Sequence, residues 1–294
     1  MRYNILHRTT YRYGAPVTLG HHEVRLRPRE FGTQRCVVSR LDVTPAPLSV
    51  LSRTDYFGNH AGYFMLDTSH HKLSVLATSE VELSVPNWPQ GEQTPPWEDV
   101  RDRLAAGHHA EAVPYIYESP GVRRIPEALE YAQPSFRNGR PLVSAVMDLT
   151  ERIHRDFRFD RAATTVNTPT REVFQRRRGV CQDFAHLELA CLRSMGLAAR
   201  YVSGYLCTEP PPGEQKLIGA DASHAWVSVY CPNYGWVDFD PTNNVMPSTR
   251  HVTLAWGRDY GDVCPVKGVF LGGGSHVMDV AVDVIPLEEM TKAQ

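Results

Sequence analysis

Alternating apolar and polar residues characterise the first ninety positions of the chain. The alternation runs from Tyr3 to Tyr11, and short runs rich in Val, Leu, Tyr and Thr follow it. Many short strands without a long helical pattern predict a β-sandwich-like domain or an open barrel at residues 1–90. The short runs cover residues 22–26, 36–43, 63–66 and 72–85, and turn signals such as Tyr13-Gly14-Ala15-Pro16 separate them.

A cluster of prolines and polar residues between positions 86 and 96 marks the end of this domain. Such clusters are typical of connecting segments. We expect residues 91–140 to form a linker with irregular and helical connections. Residues 141–294 then remain for a second domain that includes a C-terminal strand.

Two stretches of the second domain repeat apolar residues at helical spacing. The first predicts an amphipathic helix from Leu142 to about Phe157. The second predicts a helix that begins near Val180 or Cys181 and ends before Gly196, a residue suited to a left-handed C-terminal cap. Apolar residues cover most of the circumference of this second helix, so we expect it to be buried.

After the buried helix the pattern changes to a period of two. We predict strands at residues 199–206, 222–230, 235–240 and 276–285. A buried helix followed by antiparallel strands gives the second domain an α+β fold.

Composition excludes several classes of protein. The 294-residue chain carries 31 Lys and Arg and 33 Asp and Glu residues, a formal net charge of -2, which argues against a nucleic-acid partner. Nowhere does an apolar run approach the roughly 20 residues of a membrane span, and the N-terminus lacks the apolar segment of a secretory signal. We therefore expect a soluble, cytoplasmic protein without a membrane partner.

The cysteines and histidines do not predict a metal site. None of the six cysteines forms a Cys-x-x-Cys pair, which excludes a zinc ribbon and a thioredoxin-like motif. Three histidine doublets lack acidic or cysteine ligands at regular spacing, so we interpret them as surface loop residues. These doublets are His21-His22, His70-His71 and His108-His109. We expect no metal and no other cofactor.

Cys181 differs from the other cysteines because it lies in the first turn of the predicted buried helix. The partial positive charge at a helix N-terminus favours a thiolate over a thiol. A lone cysteine is more often a buried structural thiol. A nucleophilic role for Cys181 therefore depends on its having suitable partners.

Such partners are present in the hairpin predicted from the strands that follow. With a three-residue loop at positions 231–233, His224 lies opposite Asp240 and Trp226 lies opposite Asp238. A carboxylate beside an imidazole orients the ring and stabilises its protonated form, which in turn holds a neighbouring cysteine as a thiolate. A change of one residue in the loop would shift this register.

Four sequence blocks resemble, in order and spacing, the bacterial transglutaminase-like family. They are GVCQDFA at 179–185, ARYVSGY at 199–205, SHAW at 223–226 and DPT at 240–242. The motifs HRTTY at 7–11 and DYFGN at 55–59 resemble the β-rich domain that often precedes this core, and GRDYGDV at 257–263 resembles the C-terminal part of the family. By this resemblance the core is papain-like, with Cys181 as nucleophile, His224 as general base and acid, and Asp240 as the residue that orients His224.

The reaction implied by the resemblance is acyl transfer at an amide bond of a peptide or protein substrate. The Cys181 thiolate attacks the carbonyl, the Cys181 backbone N–H helps to bind the oxyanion, and His224 protonates the departing amine. The resulting thioester is resolved by water in a protease or amidase and by an amine in a transglutaminase, and the sequence leaves both open. Two further alternatives are a protein-interaction module on an idle core and acyl transfer to a small arylamine.

Four other residues are candidates for substrate contact. Gln182 and Asp183 lie in the first helical turn and either contact substrate or cap the helix, and capping explains Asp183 well. Trp226 shares the sheet face of His224 and either forms a wall of the cleft or belongs to the core. Tyr260, in the Arg-Asp-Tyr segment, is the weakest of the four candidates.

Overall fold

Two antiparallel β-sheets dominate the computed structural model, which describes residues 1–208 and 222–287. The first sheet has the strand order β2-β5-β1-β4-β3, and two late strands, β12 and β13, also pair with β1. Its strands are β1 (Arg2–Val24), β2 (Gln34–Thr44), β3 (Val50–Thr54), β4 (His60–Leu66), β5 (His70–Leu83), β12 (Val266–Gly272) and β13 (His276–Pro286).

Strand β1 is a single strand of 23 residues, where the sequence predicted two strands separated by a turn at 13–16. Its first half pairs with β5 and β13, and its second half pairs with β4 and β12. At the expected turn, the backbone N–H groups of Gly14 and Ala15 donate to Ser275 and Gly273 at 2.7 and 3.0 Å. The pairing with β5 is interrupted between Arg12 and Val17, so these bonds on one side keep the chain extended despite the local turn signal.

The last strand of the chain belongs to the first sheet and not to the sheet of the second domain, where the sequence analysis placed it. It pairs with β1 from Tyr3 opposite Pro286 to Tyr13 opposite His276. Val282 and Val284 of this strand are buried in the same core as Tyr3. The period-two pattern predicted the strand correctly, but the same alternation fits either sheet and does not identify the partner.

A second sheet of four strands has the order β10-β9-β8-β11. Its strands are β8 (Ala199–Leu206), β9 (Ala222–Cys231), β10 (Gly235–Phe239) and β11 (His251–Gly257). The first three confirm the predicted strands, whereas β11 was missed. A short parallel pair, β6 (Arg158–Phe159) and β7 (Arg178–Gly179), leads into the helix that carries Cys181.

The helices lie in the middle of the chain and near the end of the second domain. They are α1 (Trp97–Ala105), α2 (Pro126–Ala132), α3 (Leu142–Asp156), α4 (Thr170–Arg176), α5 (Cys181–Ser194) and α6 (Tyr260–Val263). Helices α3 and α5 confirm the two predicted helices, and Gly196 adopts the expected left-handed conformation with φ of 80°. Helix α5 is buried from Asp183 through Arg193 and packs on β9, which confirms the α+β fold. No helix in the described ranges is long and apolar enough to cross a membrane.

Two side-chain amides from the first sheet hold the edge strand β11 of the second. Gln34 exchanges hydrogen bonds with the backbone of Thr253, at 2.7 Å to the carbonyl and 2.8 Å from the N–H. Asn59 makes the same pair of bonds with Trp256, both at 2.9 Å. Each amide imitates a neighbouring strand, so the first sheet caps the hydrogen-bonding groups of β11.

Candidate active site

Cys181 is the first residue of α5 and is partly exposed to solvent. The helix begins there because Val180, in extended conformation, donates its backbone N–H to the Asp183 carboxylate at 2.8 Å. Thr164 donates to the same carboxylate oxygen at 2.6 Å. The buried carboxylate caps the first turn and lies at the positive end of the helix dipole, where a negative charge is stabilising. It therefore fixes the position of the cysteine.

Asp183 therefore acts as a cap and does not present its carboxylate to a substrate, since its side chain is buried. Burial raises the pKa of this carboxyl above its usual value, against the two hydrogen bonds that favour the ionised form. The neighbouring Gly179 leaves room for it, because a Cβ at that position would lie 2.7 Å from the carboxylate oxygen. The space at Gly179 is thus filled by Asp183.

His224 and Asp240 are in direct contact. The Nε2 atom of His224 lies 2.7 Å from Oδ2 of Asp240, and the two side chains are almost completely buried. The predicted juxtaposition of imidazole and carboxylate is confirmed.

The strand register that produces this contact differs from the predicted one by two residues. Strands β9 and β10 pair Trp236 with Tyr230 and Asp238 with Ser228. A shift of two residues keeps every side chain on the same face of the sheet, so the imidazole and carboxylate still meet. Asp240 lies just beyond the end of β10, where its backbone N–H donates to Val245 at 2.8 Å.

Asp240 accepts hydrogen bonds at both carboxylate oxygens. Backbone N–H groups of Thr242 and Asn243 reach Oδ1 at 2.9 and 3.2 Å. The Asn243 side-chain amide donates to Oδ2 at 2.7 Å, and His251 Nε2 lies 3.2 Å from the same oxygen. Burial alone would raise the pKa of Asp240, but these bonds and the His224 contact hold it well below its usual range.

Cys181 completes a chain of three polar side chains. Its thiol lies close enough to the His224 ring to contribute to the raised pKa of that ring. Because Nε2 of His224 is bonded to Asp240, Nδ1 is the ring atom that remains for the sulfur. Burial would lower the pKa of His224, but the bonds to Asp240 and Cys181 outweigh it and raise this pKa to about 10. The imidazole is therefore protonated at neutral pH.

Sequence reasoning missed that Asn243 and His251 belong to this cluster. Asn243 directly follows the Asp-Pro-Thr motif, a position typical of a turn residue that bonds backward to Asp240. His251 begins β11, a strand that was missed, and its position carries no local signal.

The side-chain atoms of His224, Asp240 and His251 lie within 4.8 Å of one another, a spacing that suits a metal ion. A metal would need a free lone pair on the Nε2 atom of each histidine. Instead, the Nε2 atoms of His224 and His251 lie at hydrogen-bond distances of 2.7 and 3.2 Å from Oδ2 of Asp240. The donor set therefore fits a hydrogen-bonded carboxylate better than a metal centre.

Trp226 packs behind the cluster and does not line a cleft. Its exposed fraction is 0%, which leaves no side-chain surface for a substrate. Its indole N–H donates to Asp238 at 3.1 Å, and its ring meets the ring of His251 edge-on with centroids 5.3 Å apart. The candidate substrate contact is replaced by a supporting role in the core.

Tyr260 lines a cavity of 480 Å³ beside α5, and Gln182 contacts one of the residues that line it. Gln182 donates to the carbonyl of Val166, a lining residue, at 3.1 Å. The Tyr260 backbone N–H donates to His186 at 3.1 Å, and both residues line the cavity. Of the four candidate substrate contacts, these two have positions compatible with that role.

Two of the doublet histidines do not lie in surface loops. His22 and His70 are buried within strands β1 and β5, with exposed fractions of 6% and 7%. Burial and the neighbouring histidines lower the pKa of His22 to about 4. The polar doublets suggested loops, but one residue of each of these pairs points into the sheet core because strand side chains alternate.

Comparisons with known proteins agree with this architecture. Residues 3–82 match the family described as the bacterial transglutaminase-like N-terminal region, and residues 130–241 match the transglutaminase-like superfamily. The second match includes Cys181, His224 and Asp240.

Relatives extend the similarity over nearly the whole chain. An uncharacterized protein of Mycobacterium tuberculosis is 42% identical over 296 residues, which cover 98% of this chain and 93% of that protein. A protein-glutamine gamma-glutamyltransferase of Pseudomonas aeruginosa is 30% identical over 135 residues, 45% of this chain and 20% of that protein. The crystal structure of a candidate cysteine protease from Cytophaga hutchinsonii has the same fold, with a TM-score of 0.75 at 21% identity over 97% of this chain and 91% of that one. The chain belongs to the transglutaminase-like superfamily.

Proposed function

We propose that this protein is a cysteine-dependent enzyme that transfers the acyl group of an amide through a thioester on Cys181. The observation that carries the proposal is the 2.7 Å contact between His224 and Asp240 beside Cys181, the first residue of α5. In this proposal Cys181 is the nucleophile, His224 the general acid and base, and Asp240 the group that orients and charges His224.

The ground state of the reaction is a Cys181 thiolate beside a His224 imidazolium. The pKa of about 10 keeps His224 protonated, and its positive charge together with the N-terminus of α5 favours the thiolate. The sulfur adds to the amide carbonyl carbon. The backbone N–H of Cys181, which has no intrahelical partner at this position, is placed to donate to the oxyanion.

Collapse of this adduct breaks the carbon–nitrogen bond, and the His224 proton moves to the departing amine. Water then gives one proton to the neutral His224 and adds its oxygen to the thioester carbon. Cys181 leaves as a thiolate, which restores the ion pair and releases a carboxylic acid. By this route the protein is a protease or amidase on peptide or protein substrates, with the cavity lined by Tyr260 and His186 as the candidate substrate site.

An amine in place of water would make the protein a transglutaminase. The similarity to the Pseudomonas aeruginosa protein-glutamine gamma-glutamyltransferase over 135 residues favours this second candidate. Both reactions share every step up to the thioester. The cytoplasmic location inferred from the sequence stays a prediction.

Mass spectrometry of the protein mixed with a peptide library tests both candidates. The wild-type chain should form an adduct on Cys181, and Cys181→Ala should form none. Cys36→Ala is the control, because Cys36 lies in β2 of the first sheet, outside the cavity.

Products in water enriched in oxygen-18, with and without a primary amine, then identify the acceptor. Hydrolysis adds the heavy oxygen to the acid product, whereas transfer adds the mass of the amine. An adduct that persists in Cys181→Ala would overturn the proposed nucleophile.

A further inference from the structure

His251 is a buried histidine that the reaction outlined above leaves without a role. It is the first residue of β11 and has an exposed fraction of 8%. Its Nε2 lies 3.2 Å from Oδ2 of Asp240, the oxygen that His224 Nε2 also contacts. A single carboxylate oxygen thus joins two imidazoles.

The orientation of the His251 ring makes it a donor to Asp240. The backbone N–H of Ser248 donates to Nδ1 of His251 at 3.3 Å, so Nδ1 is an acceptor and Nε2 carries the proton. The ring of Trp226 packs edge-on against the imidazole and limits its rotation. Both contacts hold the Nε2–H group on the carboxylate.

We propose that His251 is a positioning residue that keeps the buried Asp240 carboxylate ionised and directed at His224. This inference rests on the proposed function, since it concerns the charge that sustains the reactive cysteine. A buried carboxylate is costly unless donors compensate for the water it has lost, and each donor favours the ionised form. Without the hydrogen bond from His251, the ionised form of Asp240 would be less favoured. Asp240 would then stabilise the protonated ring of His224 less.

The other ionisable groups around this pair come from neighbouring elements. Asp238 of β10 interacts with His251 through its charge. Glu188 of α5 faces Asp240, and burial raises the pKa of Glu188 to about 8, so this carboxyl is neutral at pH 7. Asp240 is therefore the anion that His224 and His251 share.

The test compares His251→Gln with His251→Asn in the full chain. The glutamine amide reaches about as far as Nε2 of histidine, whereas the asparagine amide ends near the position of Nδ1 and does not reach Asp240. The measured quantity is the rate of Cys181 alkylation by iodoacetamide as a function of pH. His70→Asn controls for loss of a buried histidine, because His70 lies in the first sheet.

In His251→Asn the alkylation rate at acid pH should fall about tenfold, because the weakened imidazolium no longer stabilises the thiolate. At alkaline pH the rate should equal that of the wild type. His251→Gln should restore the acid rate, and His70→Asn should keep the wild-type profile.

Equal profiles for Asn, Gln and the wild type would overturn the role of His251 and leave the proposed function intact. Equal losses in Asn and Gln would overturn the role of the Nε2 hydrogen bond. If wild-type Cys181 were no more reactive than Cys264 at acid pH, the proposed function itself would fail.

Discussion

Asp240 is the side chain on which the candidate site converges. Its buried carboxylate accepts two backbone N–H groups at Oδ1, while the donors at Oδ2 are His224, His251 and the Asn243 amide. Charge-assisted bonds of this kind are stronger than neutral ones. The carboxylate can therefore stay ionised without solvent and raise the basicity of His224.

Replacement of Asp240 by asparagine should reduce turnover about a hundredfold or more, because the amide keeps the shape but removes the charge that protonates His224. The pKa of His224 should fall from about 10 towards 6.5. Titration of the His224 ring by NMR measures this directly. Asp160→Asn is the control, since Asp160 caps an exposed turn through Ala162. An unchanged His224 titration in Asp240→Asn would show that the carboxylate does not set the charge of the ring.

Short motifs made Cys181, His224 and Asp240 recognisable in the sequence, and their contact follows from which sheet face each residue occupies. The exact register was wrong by two residues because loop geometry depends on backbone angles that residue types only restrict. The contact of His251 with Asp240 could not be predicted from the sequence for a different reason. Its partner lies on a neighbouring segment of the fold, and nothing in the local pattern separates it from an ordinary core histidine.

Helix α5 depends on its first turn for the placement of the cysteine. Val180 and Thr164 both donate to Asp183, which ties the start of the helix to the preceding loop. A displaced first turn would move Cys181 away from His224. Stability at this helix end and reactivity of the cysteine are therefore linked.

Removal of the cap in Asp183→Ala should lower the free energy of unfolding by about 1 to 2 kcal/mol, the usual cost of losing an N-terminal cap. Asp183→Asn should cost less, because an amide oxygen in the place of Oδ2 can still accept both hydrogen bonds. Urea titration of both variants measures the difference. Equal stability of the alanine variant and the wild type would mean that Asp183 does not hold the helix start.

Elements with a strong period were predictable, and those defined by distant pairing were not. Helices α3 and α5 and strand β8 follow from apolar spacing that local geometry imposes. Strand β1 runs through a Gly-Ala-Pro segment because Ser275 and Gly273, which follow β12, supply hydrogen bonds on one side of it. Strand β3 has five exposed residues and therefore shows no apolar alternation.

Across the whole molecule, the first sheet supports the second through the amides of Gln34 and Asn59. Asn59 belongs to the DYFGN motif, whose turn is closed by Asp55 bonds to the backbone of Phe57 and Asn59, each at 2.9 Å. The turn thus presents the amide to Trp256 of β11. Since β11 also carries His251, the first sheet holds one side of the candidate site.

Replacement of Asn59 by alanine should lower the free energy of unfolding by about 2 to 4 kcal/mol, because a backbone N–H and a carbonyl of Trp256 lose their partners. Asn138→Ala is a suitable control, as Asn138 is exposed. Urea unfolding of the two variants gives the comparison. A loss in Asn59→Ala no greater than in the control would contradict the supporting role of the first sheet.

The buried histidines predict how stability varies with pH. Burial lowers the pKa of His7 and of His186 to about 4. As the pH falls from 6.5 to 4, the unfolded chain therefore binds protons at these histidines that the folded chain does not bind, and the free energy of unfolding decreases. For His7 the loss amounts to about 3 kcal/mol, at 1.36 kcal/mol per pKa unit. His224 acts in the opposite range, because its raised pKa adds stability that is lost as the pH rises from 6.5 to about 10.

Stability should therefore be greatest near pH 6.5 and decline on both sides. Urea midpoints at acid, near-neutral and alkaline pH measure this, and His7→Gln should flatten the acid side alone. A stability that is constant below pH 6.5 would show that these histidines are not kept neutral by burial.

The most direct test of the central proposal is the rate at which iodoacetamide modifies each cysteine at pH 7. Cys181 should react at least about tenfold faster than the partly exposed Cys264, because His224 holds Cys181 as a thiolate. His224→Ala should abolish this advantage. Equal rates for Cys181 and Cys264 in the wild-type protein would contradict a catalytic Cys181.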